Sequence, residues 1–182
     1  MLESFKKSAS RFLLKRKKLG TRIRKGFDLH AASSIAIVYK DQDENYFKTI
    51  RKIAKELKDT FSTKHIMVLG WIDGTEKEVP IYQAHKLEID YFTKDDLSWK
   101  LQASNNLQTF INEDYDILID LVSSNDVQVD FVIAHSQAKM KVGRKGSSRE
   151  KSYDFIVAIG EQASTEQLFN EIVKMLSKLK LG

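Results

Sequence analysis

Cysteine is absent from the chain, which excludes a disulfide framework, a thiolate nucleophile and any zinc site built on sulfur. A reducing compartment, the cytoplasm, is the expected home. Long apolar runs are missing too: stretches such as Ile35 to Tyr39 and Ile66 to Leu69 fall far short of the roughly 20 residues that a membrane-spanning helix needs. No segment is expected to cross a bilayer. A secretory signal would set about 7 to 15 apolar residues after a basic start, whereas Leu13 and Leu14 run straight into Lys15, Arg16, Lys17 and Lys18. Export by that route is not expected. Neither G-x-G-x-x-G nor G-x-x-x-x-G-K-[ST] occurs, so the usual glycine cradles for dinucleotides and ATP are missing. His30, His65, His85 and His135 are scattered without metal-ligand spacing, and none opens an H-E-x-x-H pattern. No metal and no cofactor are expected, and no catalytic triad is recognisable.

What the chain does have is an uneven distribution of charge over a length suited to one domain, 182 residues. Residues 1–26 hold ten lysines and arginines against the single acid Glu3, a net of +9, while the remainder carries 20 bases against 24 acids, a net of −4. The basicity belongs to one segment. Such asymmetry points to an anionic partner reached through that segment, with the acidic body free to meet a protein partner or a small ligand. The chain is therefore read as a basic amphipathic extension, 1–26, on an α/β domain, 27–182.

In the extension, Leu2, Phe5, Ala9, Phe12 and Leu13 recur at spacings of three and four among Lys6, Lys7, Arg11, Lys15 and Lys18, the pattern of an amphipathic helix. Gly20 and Gly26 punctuate its far end, predicting a stop or bend near residue 19 and a flexible joint beyond. In the body, Ile35 to Tyr39 reads as a buried strand, followed by a helix whose stripe is Phe47, Ile50, Ile53, Ala54, Leu57 and Phe61. A second buried strand, His65 to Trp71, completes a strand, helix, strand unit of the kind that makes parallel sheets. Beyond an irregular passage around Asp73, Gly74 and Pro80, a weaker strand spans Leu87 to Phe92. Thr93 to Asp96 has capping-box form and predicts a short helical turn. Then come a helix over Asn105 to Asn112, a central strand over Asp116 to Val122, a helix over Val127 to His135, strands over Lys139 to Val142 and Phe155 to Ile159, and a last helix starting at Ser164. That helix buries Leu168, Ile172, Val173, Leu176 and Leu179. The alternation predicts a single open, mostly parallel, doubly wound Rossmann-like sheet of five or six strands flanked by helices.

The stretch Tyr115-Asp116-Ile117-Leu118-Ile119-Asp120-Leu121, then a helix, then Ala138-Lys139-Met140-Lys141-Val142-Gly143-Arg144, resembles a passage in the N-terminal half-domain of heptosyltransferase-like glycosyltransferases. The resemblance covers about 30 residues and implies a similar half-domain. In those enzymes a glycine-rich turn with a catalytic aspartate follows the first strand, whereas this chain has Lys40-Asp41-Gln42-Asp43. They also need a second domain for the nucleotide sugar, which is not expected within these 182 residues. Over nearly its whole length the chain also resembles a family of short uncharacterised proteins of Bacteroidota, through Phe92-Thr93-Lys94-x-Asp96-Leu97-x-Trp99, Asp116-x-Leu118-Ile119-Asp120-Leu121 and Lys141-Val142-Gly143-Arg144. That resemblance implies one domain of this fold and no particular activity.

Three places carry candidate function. The first is the extension, where Lys6, Lys7, Arg11, Lys15, Arg16, Lys17, Lys18, Arg22, Arg24 and Lys25 would neutralise phosphates and release counterions. RNA or a ribonucleoprotein such as the ribosome is the leading partner; an anionic membrane surface, with the protein peripheral to the inner membrane, is the alternative. Docking of the Phe/Leu stripe on the body or on another protein is a third. The second place is Asp120, near the carboxyl end of its strand, where it contacts a ligand or accepts hydrogen bonds from a neighbouring loop. The third is the basic loop from Gly143, Arg144 and Lys145 to Arg149, which holds an anion or is simply solvated. An enzyme acting at that edge, around Asp120 and Arg144, is a further alternative to a non-catalytic binding module. Trp71 and Trp99 are expected in the core.

Overall fold

The computed structural model describes residues 2–16, 21–83, 88–160 and 162–179, the side chains of 2–7 and 15 excepted. Lys17, Lys18, Gly20, His85 and Leu87, and the predicted helix stop near residue 19, lie outside the described residues. The elements in chain order are α1 (Leu2–Arg16), β1 (Ser34–Lys40), α2 (Glu44–Phe61), β2 (His65–Trp71), β3 (Ile89–Phe92), α3 (Asn105–Asn112), β4 (Ile117–Asp120), α4 (Val127–His135), β5 (Met140–Arg144), β6 (Phe155–Val157) and α5 (Thr165–Leu176).

Six parallel strands form one sheet in the order β3-β2-β1-β4-β5-β6. This is the doubly wound order in which the chain returns to the middle and builds outward the other way. The central strands are apolar on both faces because both are covered: all five residues from Ile35 to Tyr39 are buried, as are all four of β4. Alternate side chains feed two cores. Ile35, Ile37, Ile117 and Ile119 pack under α2 and α5, while Ala36, Val38 and Leu118 pack under α3 and α4.

The helices start where capping chemistry tells them to. Asp43 accepts from Tyr46 N, Ser104 from Leu107 N, and Ser164 from Gln167 N, with the Gln167 side chain returning to Ser164 N. Thr93 to Asp96 closes a hydrogen-bonded turn rather than a helix, with Asp96 accepting from Thr93 N and Oγ1 and from Ser104 Oγ. Asp116 lies just before β4, where it stitches the amino edge by accepting from Ser33 N and Oγ, Ser34 N and Lys139 Nζ at 2.8–3.2 Å. Burial pushes its carboxyl up, but the hydrogen bonds from Lys139, Ser33 and Ser34 more than offset this and hold it below the ordinary range.

Three expectations are corrected. The buried seam of α1 is rotated: Ser10 is buried and Leu13 and Leu14 pack on the α3/α4 core, while Phe12 is 56% exposed. In place of a free joint, residues 21–33 lie along the body, with Lys25 N donating to Lys139 O and Phe27 and Leu29 buried in the α2/α5 core. Trp99 is 44% exposed, because the Ser98–Leu101 turn carries it outward, whereas Trp71 is in the core as expected.

Candidate functional site

In doubly wound sheets the loops at the carboxyl ends of the strands diverge to opposite faces and leave a crevice for ligands. Here that crevice is bridged by ion pairs. Lys40, the last residue of β1, places Nζ 3.1 Å from Asp126 Oδ2 and 3.3 Å from Asp73 Oδ2, and Lys94 Nζ lies 3.0 Å from Asp73 Oδ1. Burial raises the Asp73 carboxyl, and Lys94 and Lys40 together pull it below its usual value. On the α2 side, Asp41 accepts from Tyr82 OH at 2.9 Å and Gln83 Nε2 at 2.7 Å. Burial pushes this carboxyl up, against those hydrogen bonds.

Beside the bridge is a cleft of about 420 Å³ between Asp73, Lys94, the Leu97–Leu101 turn and the first residues of α4, closed on one side by Ser10 of α1. Ser10 Oγ donates to Trp99 O at 2.8 Å, so the basic helix forms one wall of the cleft. Leu101 sits at φ 61°, a left-handed conformation that costs a leucine about 1–3 kcal/mol and is retained only where its surroundings enforce it. A wider hollow beside α5, about 640 Å³, is shallow and open to solvent and carries no convergent set of groups. The cleft is nearly neutral, because its lysines are matched by carboxylates. It has an aromatic wall and no phosphate cradle.

Asp120 is not open to a ligand. Its Oδ2 accepts from Arg149 Nε and from Tyr153 OH, each at 2.6 Å, and its Oδ1 from Val122 N at 2.8 Å. Arg149, only 2% exposed, also donates to Val122 O, Ser124 O and Asp130 Oδ1 at 2.7–3.0 Å. Burial alone would lower the arginine; the facing Asp120 carboxylate, then Tyr153 and Asp130, raise it instead. The Tyr153 phenol is pushed up by burial first and by Asp120 second. Every charged group in this network is satisfied, the condition under which a buried pair is tolerable.

The loop read as an anion cradle therefore closes the carboxyl edge from inside. Its decisive member, Arg149, looked in the sequence like one more base in a Gly/Ser-rich loop. Gly143 belongs to β5, and a Cβ there would meet the Tyr153 ring at 2.2 Å, so the glycine makes room for that ring. Arg144 donates to Gly160 O at 2.6 Å, and Lys145 is exposed, its N–H on Val157 O. Asp120 is thus joined to Arg149 and Tyr153 rather than to Arg144.

The extension is tied down at both edges of the α3/α4 face. Arg11 donates to Asn125 O near the carboxyl edge, and Arg22 donates to Ala138 O, Lys139 O and Asp154 at the amino edge. The outward side keeps Arg11, Phe12 and Arg16 exposed, with the Arg16 guanidinium 4.6 Å from the Phe12 ring centroid. Arg24 and Lys25 are exposed further on, and Arg22 is committed to Asp154. The side chains of Lys6, Lys7 and Lys15 are outside the description.

Fold and site together define a Rossmann-like α/β domain that lacks the glycine phosphate cradle and carries a basic segment docked across one face. The chain belongs to a family of unknown function, DUF6913, whose match spans residues 3–179 and so takes in α1 as well as the sheet. No curated protein and no solved structure matches it. Among the described residues no helix is long and apolar enough to cross a membrane, and no group of three or more histidine, aspartate or glutamate side chains is placed to hold a metal ion.

Proposed function

We propose that the protein is a cytoplasmic, non-catalytic binding module that engages RNA, alone or in a ribonucleoprotein, through the docked basic segment. The observation that carries this reading is the orientation of α1. Leu13 and Leu14 face the body, and Arg11, Phe12 and Arg16 are among the described side chains that face solvent. Exposed arginines beside an exposed aromatic ring suit phosphate neutralisation with base stacking. An interfacial membrane helix needs its leucines for the lipid, and here Leu13 and Leu14 pack on the protein core. Labelled single-stranded RNA is expected to bind with an affinity that falls steeply with salt, the log–log slope shrinking by about 0.7 for each phosphate contact removed. The variant Phe12→Ala/Arg16→Glu, which leaves the Arg11 tie to Asn125 in place, should weaken binding by about tenfold while keeping the fold. Unchanged affinity in that variant sinks the reading, and co-sedimentation with anionic vesicles in place of RNA binding transfers it to a membrane surface.

The cleft beside Trp99 and the strained Leu101 favours a second reading, a small ligand held at the carboxyl edge. There a likeness to glycosyltransferase half-domains would find its expression. Ligand-induced quenching of Trp99 fluorescence, lost in Trp99→Phe and kept in Trp71→Phe, tests it.

A further inference from the structure

At the amino edge, opposite the cleft, a smaller pocket of about 210 Å³ opens between the extension, the end of α4 and the turn before β6. Four bases line it, Arg22, Arg24, Lys141 and Lys151, and no carboxylate does. Asp154 reaches two of them from beside the pocket, with Arg22 Nη2 at 2.5 Å and Arg24 Nε at 3.7 Å. Nothing comparable serves the lysines. Lys151 is exposed and has no ion-pair partner among the described residues. Lys141 is 1% exposed, and its Nζ donates only to backbone, to Ile133 O at 2.6 Å and Ala134 O at 3.1 Å. Burial, then the positive charge of Arg22, pulls this amine down to about 7, with Asp154 opposing. The pocket is therefore short of negative charge. Ser136, another buried lining residue, accepts from Ala138 N through Oγ at 3.2 Å, which leaves its hydroxyl proton to donate.

We propose that this pocket holds a phosphate group, with Arg24 and Lys151 as its outer donors, Ser136 as an inner donor, and Arg22 supplying positive charge from behind. Its size supports a group rather than a whole ligand. Pockets for drug-sized molecules run from about 300 to 1,000 Å³, and 210 Å³ is the share of roughly seven waters. Phosphate suits the charge better than a carboxylate does, because its two negative charges and tetrahedral oxygens engage several bases at once. The extension contributes Arg22 and Arg24 and the body Lys141 and Lys151, so the pocket exists only when the two are docked. The proposal goes beyond the RNA reading and does not rest on it.

The test uses the full chain, 15N-labelled and titrated with sodium phosphate against sodium chloride at matched ionic strength, following the amides of Ser136, Gln137, Lys151 and Ser152. Saturable phosphate-specific shifts are expected there, weakened about tenfold in Arg24→Glu/Lys151→Glu by loss of charge-assisted hydrogen bonds. Both substituted side chains are exposed, and the single Lys151→Gln variant, expected to bind about threefold more weakly, carries the test if the double variant misfolds. Absent shifts, or shifts that chloride reproduces, overturn the proposal. Ribose 5-phosphate and dimethyl phosphate then separate the sources. Saturation by the monoester alone supports a small phosphorylated ligand, saturation by both supports a nucleic-acid backbone, and saturation by neither overturns the proposal. Loss of RNA binding in the α1 variant with this titration intact removes the RNA reading and leaves the pocket standing.

Discussion

The two ends of the sheet treat charge in opposite ways. At the carboxyl edge, Arg149 is buried among Asp120, Asp130 and backbone carbonyls, and Lys40 and Lys94 are bridged by Asp73 and Asp126. At the amino edge pocket, Lys141 is buried on carbonyls alone and Lys151 faces solvent with no acid paired to it among the described residues. A matched buried charge is part of the fold, since removing either member strands the other in a low-dielectric interior. An unmatched base in a pocket costs stability, and that cost is recovered when an anion arrives. The difference teaches where to look for a partner: the edge where Rossmann-like folds usually bind has largely closed on itself, and the surplus positive charge lies at the other.

The largest expected effect tests the matched end. Arg149→Met leaves Asp120 buried without its cation and should lower the free energy of unfolding by about 3–5 kcal/mol in chemical denaturation. Adding Asp120→Asn should restore part of that loss, because no lone charge remains; a single variant within 1 kcal/mol of wild type breaks the comparison. Next in size is Gly143→Ala, whose Cβ meets the Tyr153 ring and whose cost of about 1–3 kcal/mol is that of overpacking. A neutral result would mean that Tyr153, and the network it supports, yields easily. The effect at the unmatched end is spread over several pH units, is the smallest per unit, and is read as a slope. The folded chain keeps Lys141 neutral down to about 7, whereas the unfolded chain protonates it near 10.4. The unfolded state thus binds the extra proton in that window, so stability should rise with pH from about 7 to 10 and be flat on this account below 7. Lys141→Met should flatten the slope by on the order of 1 kcal/mol per pH unit. An unchanged slope in that variant would mean that Lys141 is matched after all.

The strands and helix starts were legible because they rest on neighbours in sequence. Asp43, Ser104 and Ser164 bond amides three residues on, and the Ile35–Tyr39 run is apolar throughout because both faces of that strand are covered. The candidate site was less legible for the converse reason. Asp120 and Arg149 are 29 residues apart, and no local pattern marks a base in a Gly/Ser-rich loop as the one that turns inward. Trp99 was misplaced because a tight turn, not the residue's hydrophobicity, sets its direction. The seam of α1 was read one position off because periodicity reports that a helix has an apolar stripe, while the surface it meets decides which stripe members are used.

By itself the amino-acid sequence determined the class of fold, the order of its elements, and the fact that a +9 segment precedes a −4 body. These follow from composition, period and capping, all local or additive. Only the tertiary structure decided that the basic segment is docked rather than free, that Arg149 belongs to Asp120, and that Arg22 and Arg24 meet Lys141 and Lys151 in one pocket. Those are pairings between distant residues, and a charge counted along the chain does not tell whether folding will bring it an opposite charge, a carbonyl or water.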